Sequence, residues 1–98
     1  MDRATAIKRI KAVEPLLRKS GTRSLYLFGS TARNKARKTS DVDVCITYDP
    51  KSKFSLIELS GIKIILTRAL KVKADVVTKD ALRPEVRGTF NKDAVKVF

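Results

Sequence analysis

Two aspartates separated by one residue, Asp41 and Asp43, stand at the start of the apolar run DVDVCITY. In a strand, residues two apart project to the same face, with Cα atoms roughly 6.5 to 7 Å apart. Two carboxylates on one face repel each other unless they share a cation, and carboxylate oxygens are the ligands that Mg²⁺ prefers. The pair therefore predicts a metal site. The structural alternative is that Asp41 caps a loop and Asp43 faces solvent.

A third aspartate, Asp75, lies in a second strand-like run, KADVV. If strand 73–77 neighbours strand 42–48, three carboxylates meet, which is enough to hold two divalent ions about 3.5 to 4 Å apart. The chain contains no histidine, so any proton acceptor must be a carboxylate. Asp75 is then the expected base.

A glycine and a serine, Gly29 and Ser30, follow the apolar run SLYLF. Glycine allows a sharp turn after a strand, and Ser30 with the amides of the next helical turn can bind phosphate oxygens. A nucleoside triphosphate needs both phosphate donors and a neutralising metal, so the segment from 27 to 44 predicts a triphosphate site. Arg33 is a candidate for added positive charge there, against the alternative of an exposed loop charge. A P-loop is excluded because the chain has no G-x-x-x-x-G-K-[ST] pattern.

The elements that must position these residues follow from hydrophobic periodicity. Residues 4 to 17 repeat apolar side chains at helical spacing, and Pro15 predicts a break near Glu14. SLYLFG reads as a short buried strand, and TARNKARKTS as one helical turn and an exposed loop. DVDVCITY and KADVV are predicted as two further strands.

A long helix is predicted between these last two strands, from Phe54 to Leu70, with Ser52 or Ser55 as its N-cap. Its buried stripe is expected at four positions: Leu56, Leu59, Ile62 and Leu66. A last helix is expected from Asp80 or from Arg83-Pro84, and AVKVF could add an edge strand. The predicted class is α/β, a small mixed sheet flanked by helices.

Composition sets the remaining limits. With 98 residues and 43% hydrophobic content, the sequence suits one soluble domain spanning residues 1–98. No apolar run is long enough for a membrane span or a signal peptide, so we expect a cytoplasmic protein without membrane contact. Cys45 lies in an apolar run and is expected to be a buried thiol without a chemical role. The net charge of +12 points to a polyanion or an acidic protein surface as partner, or simply to a solvated basic surface.

The three motifs GSTARN, SDVDV and ADVV together resemble the minimal nucleotidyltransferase (MNT) family of the DNA polymerase beta-like nucleotidyltransferase superfamily. The resemblance implies that Gly29 and Ser30 bind the triphosphate of ATP, and that Asp41 and Asp43 ligate two Mg²⁺ ions. It also implies that Asp75 ligates one ion and helps to deprotonate an attacking hydroxyl. The implied reaction is transfer of AMP from ATP with release of pyrophosphate.

One position departs from the family pattern. Asn34 stands where the family usually has glycine, and asparagine is the residue that next best tolerates a left-handed backbone. The loop could therefore keep its shape.

Small MNT proteins are similar to antitoxins that place AMP on a tyrosine of a HEPN-domain toxin, so the resemblance implies a HEPN toxin as partner. Two alternatives stay open: a non-catalytic antitoxin that masks the toxin by binding it, and an RNA-directed nucleotidyltransferase or RNA-binding protein suggested by the positive charge. Nucleic acid is possible but not favoured, and a small cationic substrate is ranked last because the basic surface would repel it. The oligomeric state and the receiving residue stay open.

Overall fold

The computed structural model describes residues 1–32 and 41–98. Helices and strands alternate along these residues, as the periodicity predicted. The helices are α1 (Arg3–Ala12), α2 (Glu14–Lys19), α3 (Gly29–Ala32), α4 (Leu56–Leu70), a 3₁₀ turn (Lys79–Ala81) and α5 (Pro84–Asp93); the strands are β1 (Thr22–Phe28), β2 (Val42–Tyr48), β3 (Ala74–Thr78) and β4 (Val95–Lys96).

The four strands form one mixed sheet in the order β3-β2-β1-β4. Strand β1 is antiparallel to both β2 and β4, whereas β2 and β3 are parallel. Parallel neighbours need a crossover connection, and α4 supplies it between β2 and β3. The closing segment adds an edge strand, as predicted. This α/β architecture with a small mixed sheet confirms the predicted fold class.

One face of the sheet forms the main core with α1, α2 and α4. Its strand residues, among them Leu27, Val44 and Ile46, are fully buried against helical side chains such as Ile10 and Leu66. Because side chains alternate along a strand, the residues between these positions, Asp43 among them, project to the other face. The acidic side chains therefore lie on the opposite side of the sheet from α1 and α4.

The other face is partly covered by α5 and the 3₁₀ turn. The ring of Phe90 on α5 makes edge-on contacts with Tyr26 and Phe28, at centroid distances of 5.7 and 5.6 Å. Leu82 and Cys45 are buried in the same cluster. Aromatic pairs of this geometry fix orientation as well as burying area, so α5 holds a defined position over β1 and β2.

The helix boundaries follow local chemistry. The break between α1 and α2 falls at Val13, and Pro15 lies in the first turn of α2, where a missing amide costs nothing. Ser55 is the N-cap of α4 in a capping box with Glu58, which selects Ser55 over Ser52. The last helix begins at Pro84.

The predicted buried stripe of α4 is wrong at one position. Ile62 and Leu66 are fully buried, but the side chain of Leu56 is 78% exposed. Leu56 is the first residue of α4, and full burial in this helix begins only at Ile62. Helical spacing identifies which residues share a side, but not where along the helix the sheet stops covering them.

Cys45 is fully buried, as the sequence predicted. Burial raises the pKa of its thiol to about 11, because desolvation disfavours the thiolate; nearby Lys79 opposes this shift and Asp80 adds to it.

We expect the native chain to react with an aromatic disulfide reagent at least about a hundredfold more slowly than the unfolded chain, at about pH 8, because only the thiolate attacks. Absorbance of the released thiol measures the rate, and the same chain in guanidinium chloride is the control. Equal rates in the two states would contradict the burial of Cys45.

Candidate active site

Two of the predicted acidic residues occupy neighbouring positions. In the parallel pairing of β2 with β3, Asp43 is the direct partner of Asp75. Adjacent strands are about 4.8 Å apart, and paired residues project to the same face. The condition set by the sequence, that strand 73–77 neighbours strand 42–48, is therefore met, and the register pairs Asp43 with Asp75.

On its other side, Asp43 pairs with Phe28 at the end of β1. The row Phe28, Asp43, Asp75 thus crosses three strands. Gly29 directly follows Phe28, the last residue of β1. The glycine–serine turn therefore lies beside Asp43. The turn and the aspartates, far apart along the chain, are neighbours in space.

Gly29 leaves the space that the Asp43 side chain fills. Its backbone φ is +73°, in the left-handed region that favours glycine. A Cβ on Gly29 would overlap Oδ2 of Asp43 and would lie 3.1 Å from its Cγ. The carboxylate of Asp43 is therefore packed directly against the turn that contains Gly29 and Ser30.

Asp41 precedes β2 and is exposed. One of its oxygens, Oδ2, lies 3.9 Å from Nζ of Lys73, the residue before β3, and the side chains are 43% and 62% exposed. An ion pair this exposed is weak. The backbone beside it is firmer, because the amide of Val42 donates to the carbonyl of Lys73 at 3.0 Å.

The three carboxylates fit a divalent cation by donor type but not by position. Among residues 1–32 and 41–98, no three acidic, histidine or cysteine side chains lie close enough together to hold a metal ion. The donors nevertheless suit Mg²⁺ in type, since all are carboxylate oxygens; Asp43 and Asp75 occupy paired positions on adjacent strands, and Asp43 packs against Gly29. To complete a set of three carboxylates with Asp43 and Asp75, Asp41 would have to break its ion pair with Lys73.

Among the described residues, two clefts open on the sheet face that carries Asp43 and Asp75. The smaller, about 300 Å³, is apolar and lies beside the acidic row, between Phe28, Val77 and Val86, with Arg83 as its charged residue. The larger, about 550 Å³, includes Thr47. Thr47 is four residues beyond Asp43, roughly 13 Å along the strand. The smaller cleft is therefore the one that adjoins Asp43 and Asp75, the candidate catalytic residues.

Two side chains that line the larger cleft, Tyr48 and Asp80, are hydrogen-bonded to each other. The hydroxyl of Tyr48 donates to Oδ2 of Asp80 at 2.8 Å. This bond raises the pKa of Tyr48, because the phenol loses the bond when it ionises next to the Asp80 charge. Hydrogen bonds from Thr78 and then Tyr48 lower the pKa of Asp80, because they stabilise its ionised form.

Some predicted site residues lie outside the described part of the chain. Arg33, and with it Asn34, falls within residues 33–40. Three further residues lie around the site without a signal in the sequence. Phe28 pairs with Asp43, Lys73 forms the ion pair with Asp41, and Arg3 donates to the carbonyl of Ala32 at 3.1 Å, which ties α1 to the end of α3. These three contacts depend on chain segments far apart in sequence.

Residues 9–97 match a family model described as a nucleotidyltransferase domain. A Methanocaldococcus jannaschii protein provisionally named protein adenylyltransferase MJ0126 is 35% identical and aligns over 99% of this chain and 100% of its own length. Protein adenylyltransferase MntA of Thermococcus cleftensis is 29% identical over 79% of this chain and 76% of that protein.

Solved structures give the same picture. A protein provisionally described as a minimal nucleotidyltransferase superposes with a TM-score of 0.80 at 30% identity, over 97% of this chain and 95% of that one. Two matches at 17% identity support the fold alone. One is a toxin–antitoxin with AMP-PNP (TM-score 0.69, 100% of this chain and 73% of that one). The other is a tri-AMPylated Shewanella oneidensis HEPN toxin in complex with MNT antitoxin (TM-score 0.68, 95% and 71%).

Replacing Gly29 by alanine is expected to lower the free energy of unfolding by about 1 to 2 kcal/mol, because the left-handed backbone disfavours a Cβ. Overlap with the Asp43 carboxylate adds to this loss. Asp43→Ala in the same chain should restore part of it, and denaturant unfolding of the four proteins of this cycle measures the coupling.

The matched control is Gly88→Ala on α5, where a Cβ would meet nothing within 4 Å. This change should stabilise the chain. Equal stabilities for the two alanine variants would refute the packing of Asp43 on Gly29.

Proposed function

Because this chain belongs to the nucleotidyltransferase domain family, we propose that it is a protein adenylyltransferase antitoxin that moves AMP from ATP to a tyrosine hydroxyl of a HEPN-domain toxin. The observation that carries the proposal is the pairing of Asp43 with Asp75, together with the packing of Asp43 against Gly29. This arrangement links two carboxylates to a glycine–serine turn, and such a transfer needs groups that position the phosphates and neutralise their charge.

The proposed roles follow from position. Gly29 and Ser30 hold the phosphates of ATP; Asp41, Asp43 and Asp75 would hold two Mg²⁺ ions, which when bound neutralise phosphate charge. The phenol oxygen bonds to the α-phosphorus of ATP, the bond from that phosphorus to the bridging oxygen breaks, and pyrophosphate leaves. Asp75 receives the phenol proton.

The comparisons support a protein as the acceptor of the transferred group, and AMP as that group. Both relatives bear the name protein adenylyltransferase, and one similar structure contains an AMPylated HEPN toxin bound to an MNT antitoxin. The apolar cleft between Phe28, Val77 and Val86 adjoins the acidic row and has room for an aromatic ring. An acceptor hydroxyl on a ring in that cleft would lie near Asp75.

A second candidate function is masking of the toxin without catalysis. The observation that favours it is the ion pair between Asp41 and Lys73, which leaves the third carboxylate engaged with a lysine. An exposed pair of this kind is easily broken, so the catalytic function remains the better supported one. RNA binding, suggested by the charge of +12, would show an affinity that falls steeply with salt.

Asparagine at Asp43 or at Asp75 is expected to lower AMP transfer by about a hundredfold or more, because each change removes a metal ligand and the second removes the base. The measurement is incorporation of label from α-labelled ATP into the HEPN-domain protein of the neighbouring reading frame, with magnesium present. Omitting magnesium should abolish the label as well.

The matched control is Asp49→Asn. Asp49 follows β2 at the opposite end from Asp43, and its Oδ1 accepts from the amide of Lys51, a bond that asparagine keeps. The charge change is the same, but transfer should be unaffected. Unlabelled partner in a complex that still forms would contradict the catalytic function, whereas toxin silencing that survives Asp43→Asn would favour masking. Absence of a HEPN-type neighbouring frame would contradict the choice of partner.

A further inference from the structure

Helix α4 has an apolar surface on the side that faces away from the sheet. Ile57 and Ile64 are 82% and 53% exposed, whereas Ile62 and Leu66 on the other side are fully buried. Residues seven apart lie on one helix face, about 10.5 Å apart along the axis. Large β-branched side chains in such positions are costly to hydrate, and neither isoleucine belongs to the main core cluster.

Between the two isoleucines lie the small residues Ser60 and Gly61. A Cβ on Gly61 would meet nothing within 4 Å, so neither packing nor backbone geometry in the described fold requires glycine here. Glycine within a helix disfavours folding about fivefold relative to alanine. Ile57, Ser60, Gly61 and Ile64, here called the outer strip, therefore present two exposed isoleucines with two small residues between them, and the small residues leave room for another backbone to approach closely.

The surroundings of the outer strip are basic. Lys63 and Arg68 on α4 are exposed, as are Lys53 before the helix and Lys71 at its end. The acidic residue of the first turn, Glu58, is engaged by Ser55 in the capping box. Two copies of this chain, each with a charge of +12, would bring like charges together, so the charge favours an acidic partner over a second copy.

We propose that the outer strip is the docking surface for the toxin partner, which contributes an apolar helix with acidic residues along its margins. The inference rests on the proposed function for the identity of the partner. Since α4 and the Asp43–Asp75 pair lie on opposite sides of the sheet, docking and AMP transfer are separate in space. The acceptor tyrosine therefore lies on a part of the partner that reaches past the docked helix.

The first test replaces an isoleucine of the strip. Ile64→Lys is expected to weaken binding of the neighbouring-frame HEPN protein at least about tenfold, measured by calorimetry, because it adds a charge to the centre of the contact. Leu16→Lys is the matched control, since Leu16 on α2 is also 53% exposed. Label transfer by Ile64→Lys should recover at saturating partner, because Asp43 and Asp75 are unchanged.

The second test uses glycine. Gly61→Ala and Gly88→Ala should each raise the folding equilibrium constant of the isolated chain about fivefold, but only Gly61→Ala should weaken binding. Opposite effects on stability and affinity distinguish a contact surface from a folding defect.

Three outcomes overturn the docking proposal: equal affinity of Ile64→Lys and Leu16→Lys, unchanged binding by Gly61→Ala, or a wild-type dimer that Ile64→Lys dissociates. Failure of the proposed function is distinguishable from these. In that case wild type would bind the partner and leave it unlabelled, while Ile64→Lys would still weaken the complex.

Discussion

The register of β2 against β3 is the constraint on which the site depends. Because side chains alternate along a strand, a slip of one residue would leave Asp43 and Asp75 on opposite faces of the sheet. The register is held from the other face, where Val42, Val44 and Ala74 are buried against the helices. The main core thus determines, through the two-residue period of the strands, that two acids meet on the side the core does not use.

Placing two like charges side by side is unfavourable unless positive charge compensates. Among the described residues, Lys73 supplies positive charge at this end of the sheet, with its Nζ 3.9 Å from Oδ2 of Asp41. In the proposed function, Mg²⁺ held by these carboxylates would give a stronger compensation than this exposed lysine does. The same positive charge favours the phosphates of a nucleotide.

Helix α4 has two apolar sides, one in the core and one exposed. Its buried side fixes the crossover that makes β2 and β3 parallel, and its other side is an apolar strip with a basic margin. Because both sides of α4 carry apolar residues, the core and the proposed docking surface share one element. Glycine at position 61, unnecessary to the described fold, becomes understandable on the interface side.

Local chemistry in the sequence determined the elements. Pro15 divided the first helix, Ser55 capped the fourth, and period-two apolar runs marked the strands, because capping and periodicity act within a few residues. The sequence also contains the glycine–serine pair and the aspartates, residue types that together predict a site for phosphate and metal. The pairing of Asp43 with Asp75, the fit of its carboxylate against Gly29 and the contact of Lys73 with Asp41 were decided only by tertiary structure. So was the exposure of Leu56, since spacing along one helix carries no information on where the neighbouring sheet ends.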